Sequence, residues 1–157
     1  MYKKVNINNF MKIAIEEAEK GIKCGHGGPF GAVVVKNGEI VGKGHNKVIS
    51  NNDPTCHGEV DAIRNACKKL KTFDLSGCDI YSTSYPCPMC FCAILWANIN
   101  KIYYGCNTTD AENIGFRDKA FEENTPKNKL EKCIEINRPE CLQLFEKYNN
   151  MEDKKIY

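Results

Sequence analysis

The chain has 157 residues, 42% hydrophobic and 27% charged, which is ordinary globular composition and excludes a disordered or low-complexity protein. A formal net charge of +2 with only scattered Lys pairs (Lys3-Lys4, Lys68-Lys69, Lys154-Lys155) gives no basic stripe of the kind that follows a phosphate backbone. No apolar core of a secretory signal and no membrane-length apolar run is present, so the expectation is a cytoplasmic protein whose ten cysteines stay reduced and available for metal or catalysis.

The elements follow in chain order. Phe10, Ile13, Ala14, Ala18 and Ile22 recur at helical spacing among Glu and Lys, which predicts an amphipathic helix over 10–22, stopped by the glycines of G-H-G-G-P-F-G. The β-branched run Phe30 to Val35, then Asn37-Gly38 and Glu39 to His45, predicts an antiparallel hairpin. After the turn-rich S-N-N-D-P-T, a helix is predicted over 57–70, a strand over 79–83, a helix over 87–97 and a strand over 101–105. A less regular stretch leads to a strand over 132–136 and a closing helix over 140–148. With no repeat or linker, this order predicts one domain over 1–157: an α/β fold with a mixed sheet covered by helices on both faces, a three-layer α/β/α sandwich.

Two short motifs carry the chemistry. In Y-P-C-P-M-C, Cys87 and Cys90 stand three apart at a helix start, on one face, with Pro88 in the first turn where its missing N–H costs nothing. A helix N-terminus favours thiolates, and thiolates bind metal. In T-C-H-G-E-V, His57 supplies a third ligand for zinc, and three protein ligands leave a fourth position open for water. Glu59 stands two residues on, reaching the water without ligating the ion, as an acid/base that moves its proton. H-x-E followed by P-C-x-x-C is the pattern of zinc-dependent nucleobase deaminases. Taken alone, Cys87-Pro88-Met89-Cys90 also suits a thiol redox motif or half of a structural zinc site, with Cys56 or Cys92 as the further ligand. Those two cysteines, with Cys24, Cys67, Cys78, Cys106, Cys133 and Cys141, read instead as small buried or incidental residues. His26 and His45 read as loop and strand residues.

On these motifs, with G-G-P-F-G-A-V-V-V-K-N-G, L-W-A, T-D-A-E-N-I-G-F-R-D and the terminal K-K-I-Y, the chain resembles the cytidine deaminase-like superfamily. Within it the sequence is most similar to the bacterial guanine deaminases. The resemblance implies a mixed five-stranded sheet, usually in a homodimer, and one zinc held by His57, Cys87 and Cys90 with Glu59 as proton shuttle. It implies that Asn46 hydrogen-bonds a purine, that Phe30 packs on its face and that the Gly58 N–H touches it. Asp118 would relay protons at the substrate amine. Trp96 and Tyr157 would line or close the pocket, Tyr157 from a C-terminal segment (about 140–157) that closes its own site or a partner's.

The activity so implied is hydrolysis of guanine to xanthine and ammonia. The rivals are deamination of adenosine in tRNA and of another small molecule such as guanosine, cytosine or an aminated triazine, and, outside catalysis, a zinc or redox protein. The chain departs from the resemblance at Gly58, where alanine is usual but the backbone contact survives, and at Cys92, where glycine is common. The third departure is Tyr85, a phenol where glutamate is usual beside the zinc cysteines.

Overall fold

The computed structural model describes residues 7–123 and 133–155. Helix α1 (Ile7–Lys23) precedes the hairpin β1 (Gly31–Lys36) and β2 (Glu39–His45); a four-residue helix α2 (Val48–Asn51) leads into α3 (Gly58–Leu70). Then come β3 (Cys78–Ser84), α4 (Pro88–Trp96), β4 (Lys101–Cys106), the short helices α5 (Thr108–Asn113) and α6 (Asp118–Glu123), β5 (Cys133–Glu135) and α7 (Arg138–Asn149). Every predicted element is present with ends within a few residues, and β2 matches at both ends. Helices α2, α5 and α6 were not expected. The start of the predicted last strand, Lys132, and Tyr157 lie outside the described residues.

The five strands form one sheet in the order β2-β1-β3-β4-β5. β1 is antiparallel to β2 and β3, while β3, β4 and β5 run parallel. The turn at Asn37 (φ 52°) and Gly38 (φ 81°) has positive φ at both central residues, as a tight hairpin with the right-handed strand twist requires.

Strand alternation sorts the core into two layers. Val33, Val35, Tyr81 and Tyr103 face α1 and α7, meeting Phe10, Met11, Ala14, Leu144 and Phe145. Ala32, Val34, Ile80 and Ile102 face α3 and α4, meeting Ala62, Ala66 and Ile94. Each buried Ile or Val so placed contributes about 1.5–3 kcal/mol relative to exposure. The α/β/α sandwich is thus the structure observed.

Glycine brings α3 down onto the hairpin. A Cβ on Gly42 would lie 2.4 Å from the Ala62 carbonyl oxygen, and one on Gly44 would lie 2.4 Å from Ala62 N and 2.7 Å from the Gly58 carbonyl oxygen. The backbone of α3 therefore rides directly on β2, which fixes where its first turn points. Among the described residues no helix is long and apolar enough to cross a membrane.

Candidate active site

His57 and Cys87 are the N-cap residues of α3 and α4. Both have extended backbone, and neither side chain caps its own helix, so both are free to ligate. Pro88 occupies the first turn of α4, and Cys90 follows one turn after Cys87 on the same face. α4 springs from the carboxyl end of β3, the end of a parallel strand at which open α/β sheets build their sites.

The ligand atoms of His57, Cys87 and Cys90 lie within 4.8 Å of one another. His57 Nδ1 stands 3.5 Å from Cys87 Sγ. A tetrahedral zinc, with bonds of about 2.0 Å to nitrogen and about 2.3 Å to sulfur, sets that separation at about 3.5 Å. The donor set and its spacing therefore fit zinc. Nδ1 is identified as the ligating nitrogen, which the sequence left open.

The three side chains are electrostatically linked. The hydrogen bond from Cys90 holds the Cys87 thiol well below its ordinary value; burial opposes the shift and His57 supports it. Cys90, as the donor in that bond and fully buried, is pushed up. For His57 burial works against the charged ring, yet the hydrogen bond and charge of Cys87 outweigh it and raise the imidazole.

Glu59, 5% exposed, sits in the first turn of α3. Burial raises its carboxyl above the ordinary range, and the charge of Cys87 adds to this. Ser82 Oγ donates to its Oε1 at 3.0 Å, and Cys90 Sγ reaches its Oε2 at 3.4 Å. The carboxyl is thus aimed at the ligand cluster without joining it. Ser82 was missed by sequence reasoning; the available signal was a hydroxyl two residues after Ile80, on the same strand face and toward α3.

A cavity of about 480 Å³ opens over this cluster, lined by His57, Glu59 and Cys87 at its base and by Phe30, Tyr85, Phe116, Asp118 and Phe121 on its walls. Phe30 is held edge-on by Phe116 (centroids 4.8 Å) and by Phe145 (5.7 Å). Asp118 begins α6, and burial lifts its carboxyl, helped by Cys87 and opposed by His57. Phe116 and Phe121 come from the stretch the sequence leaves irregular, and only the aromatic pair flanking Asp118 hinted at them. The Tyr85 hydroxyl is turned away, 4.0 Å from Cys133 Sγ, with its ring edge-on to Tyr104 (5.0 Å).

The other residues singled out in the sequence are placed as follows. Asn46, 1% exposed, sits directly behind the cavity residues Phe30 and Val48: its N–H donates to the Phe30 carbonyl, its Oδ1 accepts from Val48 N–H at 3.1 Å, and among the described residues its Nδ2 is buried without a partner. A Cβ on Gly58 would lie 2.9 Å from the Phe30 carbonyl oxygen, so the first turn of α3 sits tight on the start of β1 and an alanine there would require a small shift.

Trp96 does not enter the cavity of its own chain. It closes the last turn of α4 at 86% exposure and borders a shallow surface hollow with Phe73, Cys92, Leu95 and Asn98. Cys92 and Cys24 are exposed rather than buried, and Cys67 and Cys133 are half-buried. Cys56 is buried against Asp53 and stays outside the ligand cluster.

The family model for the cytidine and deoxycytidylate deaminase zinc-binding region matches residues 4–106. The guanine deaminase of Bacillus subtilis (strain 168) is 41% identical over 156 residues, covering 98% of this chain and 100% of that protein. A crystal structure of guanine deaminase from Bacillus subtilis superposes with a TM-score of 0.73 at 40% identity, over 97% of this chain and 99% of that one. The tRNA-specific adenosine deaminase of Aquifex aeolicus (strain VF5) is 43% identical over 95 residues, 60% of this chain and 62% of that protein.

Proposed function

The chain belongs to the cytidine and deoxycytidylate deaminase zinc-binding family, and on that premise we propose that it is a zinc-dependent aminohydrolase converting guanine and water to xanthine and ammonia. The observation that carries the substrate choice is the wall built by Phe116, Asp118 and Phe121. That segment lies beyond the part common to the whole family, residues 4–106. It narrows the cavity to a compartment with apolar faces for a flat base. The similarity to guanine deaminase also runs through this segment, covering 98% of the chain.

His57 Nδ1 and the sulfurs of Cys87 and Cys90 would hold zinc, which when bound would supply the Lewis acidity that lowers the pKa of water toward about 7. Glu59 takes a proton from the attacking water and returns it to the substrate, so that the carbon bearing the amino group loses ammonia rather than amide. Its raised pKa suits a group that must both accept and release a proton. Asp118 stands on the opposite wall, with a pKa also raised by burial, and carries the proton to the departing amine. Phe30 packs on the base, the Gly58 N–H contacts it, and the free Nδ2 of Asn46 donates to it.

We further take the chain to be one cytoplasmic deaminase domain over 1–157 that works as a homodimer. Trp96, with its indole in solvent, belongs in this scheme to the contact between copies. The C-terminal segment with Tyr157 closes the cavity of its own chain or a partner's. Ammonia release from zinc-loaded protein, screened over guanine, guanosine, cytosine, an aminated triazine and a tRNA anticodon stem, tests the assignment. Release from guanine alone supports it. Release only from the tRNA stem or another small molecule replaces the substrate, and release from none, with zinc bound, returns the protein to a structural zinc or redox role.

A further inference from the structure

Two of the chain's three histidines stand outside the ligand cluster and touch each other. His26 Nδ1 lies 2.9 Å from His45 Nε2, and the rings stack at 5.2 Å with an interplanar angle of 16°. His45 Nδ1 in turn lies 3.3 Å from Glu17 Oε2 on α1. His45 is 5% exposed, and a Cβ on Gly21 would lie 2.6 Å from its Cδ2, so the last turns of α1 close over the ring only because residue 21 is glycine. A partly buried, directed chain of this kind has no part in the chemistry described above.

The direction of its hydrogen bonds follows from the acceptors. An ionised carboxylate can only accept, so His45 Nδ1 carries the proton toward Glu17. Burial works against the charge on Glu17, but hydrogen bonds from Lys43 and His45 outweigh it and keep the carboxyl below its ordinary value. His45, held down by burial, is neutral, and its Nε2 is then an acceptor to which His26 Nδ1 must donate. The other groups around His45 are Lys43, 3.2 Å from Glu17, and Lys47, paired with Asp61 at 2.7 Å. Asp61 also accepts the His45 backbone N–H at 3.3 Å.

The far end of the chain acts on the loops beside the cavity. The His26 carbonyl accepts the N–H groups of Ile49 (3.1 Å) and Ser50 (3.2 Å), which fixes α2 and with it Val48, a cavity residue. Gly27, the next residue, is pressed on the Asn46 amide: a Cβ there would lie 2.0 Å from Asn46 Oδ1. With Oδ1 held by Val48 N–H, the amide has one orientation, and Nδ2 is the group left to offer.

We propose that Glu17, His45 and His26 form a positioning relay. By fixing the His45 tautomer and pinning His26, it holds the loop His26-Gly27 and helix α2 so that the Asn46 amide presents Nδ2 to the substrate. The inference rests on the reading of Asn46 as a base contact. None of the three touches substrate; they act through Asn46 and set binding rather than the chemical step.

The test uses the zinc-loaded full chain and two variants, His26→Ala and His26→Asn. Asparagine places an N–H close to where Nδ1 stands but removes the ring stacking, as alanine does, so the pair isolates the hydrogen bond. His26→Ala should raise KM for guanine about fivefold with kcat kept within about twofold, and His26→Asn should restore KM. Equal KM for both variants and the parent, or a fall in kcat alone, overturns the proposal.

Two further readouts do not depend on turnover. Nitrogen-15 spectra of the parent at about pH 7 should show His45 neutral with its proton on Nδ1; a proton on Nε2, or an imidazolium, overturns it. Amide exchange at Ile49 and Ser50 should quicken about tenfold in His26→Ala and not in His26→Asn; unchanged exchange in both overturns it. A parent that leaves guanine untouched sinks the substrate assignment alone, because the spectra and the exchange rates still decide the relay.

Discussion

The base of the cavity and its outer wall are built by different means. The base comes from the first turns of α3 and α4, two helices seated on the sheet, and its side chains are buried or half-buried at fixed backbone positions. The outer wall comes from α6, six residues long, and from the turn that leads into it from α5, and its outer members Phe121 and Arg117 are exposed. α5 is held by a capping box between Asn107 and Asp110 and by a two-pronged bond from Arg138 to the Asp110 carboxylate (2.6 and 2.9 Å). The reactive groups are thus fixed by long elements, and the surface that meets the base by short ones. Chemistry and substrate choice are separable in such a molecule.

If that division holds, substitutions at the base should abolish turnover and substitutions in the wall should retune it. Removal of zinc by a chelator should eliminate ammonia release, with activity regained on adding zinc; full activity in protein shown by elemental analysis to be zinc-free would break the comparison at its root. Glu59→Ala should lower kcat about 10³-fold with zinc content unchanged. Residual activity near that of the parent would mean that another group moves the proton.

Asp118→Asn stands between the two regions. It should lower kcat about 10- to 100-fold. It should also flatten the alkaline side of the pH profile, because a carboxyl with a raised pKa keeps its proton as pH rises and releases it only above the ordinary carboxylate range. A change in KM alone would move Asp118 wholly into the wall.

Phe121→Ala, at a side chain 48% exposed, should raise KM about threefold and leave the melting temperature within about 2 °C. A large loss of stability would show that the wall is as integral to the fold as the base.

The same division decides what was legible in the sequence. Asn37-Gly38 fixes its turn by local backbone preference, and the cysteine pair, histidine and glutamate occupy helix starts whose signals are local too. A long amphipathic period located α1. Helices α2, α5 and α6, at four to six residues, are too short for a period to show; α5 is held by its capping box and by Arg138, which lies 28 residues from Asp110 in the chain, and α2 by the His26 carbonyl. Trp96 illustrates the converse. Its helix is apolar throughout, so no pattern marks which face meets the sheet; Ile94 takes the buried position and Trp96 is left outside. Likewise no local signal could tell that the Tyr85 hydroxyl turns to Cys133, since that partner lies in β5.

The seat of α3 on β2 bears on how damage to this protein would be recognised. Any side chain at Gly44 must push on the backbone of Gly58, the residue between His57 and Glu59. In an unbiased mutational survey scored by activity, Gly44 would therefore cluster with the reactive residues although it meets no substrate. Such an allele would be mistaken for a catalytic lesion unless its protein were also assayed for zinc retention.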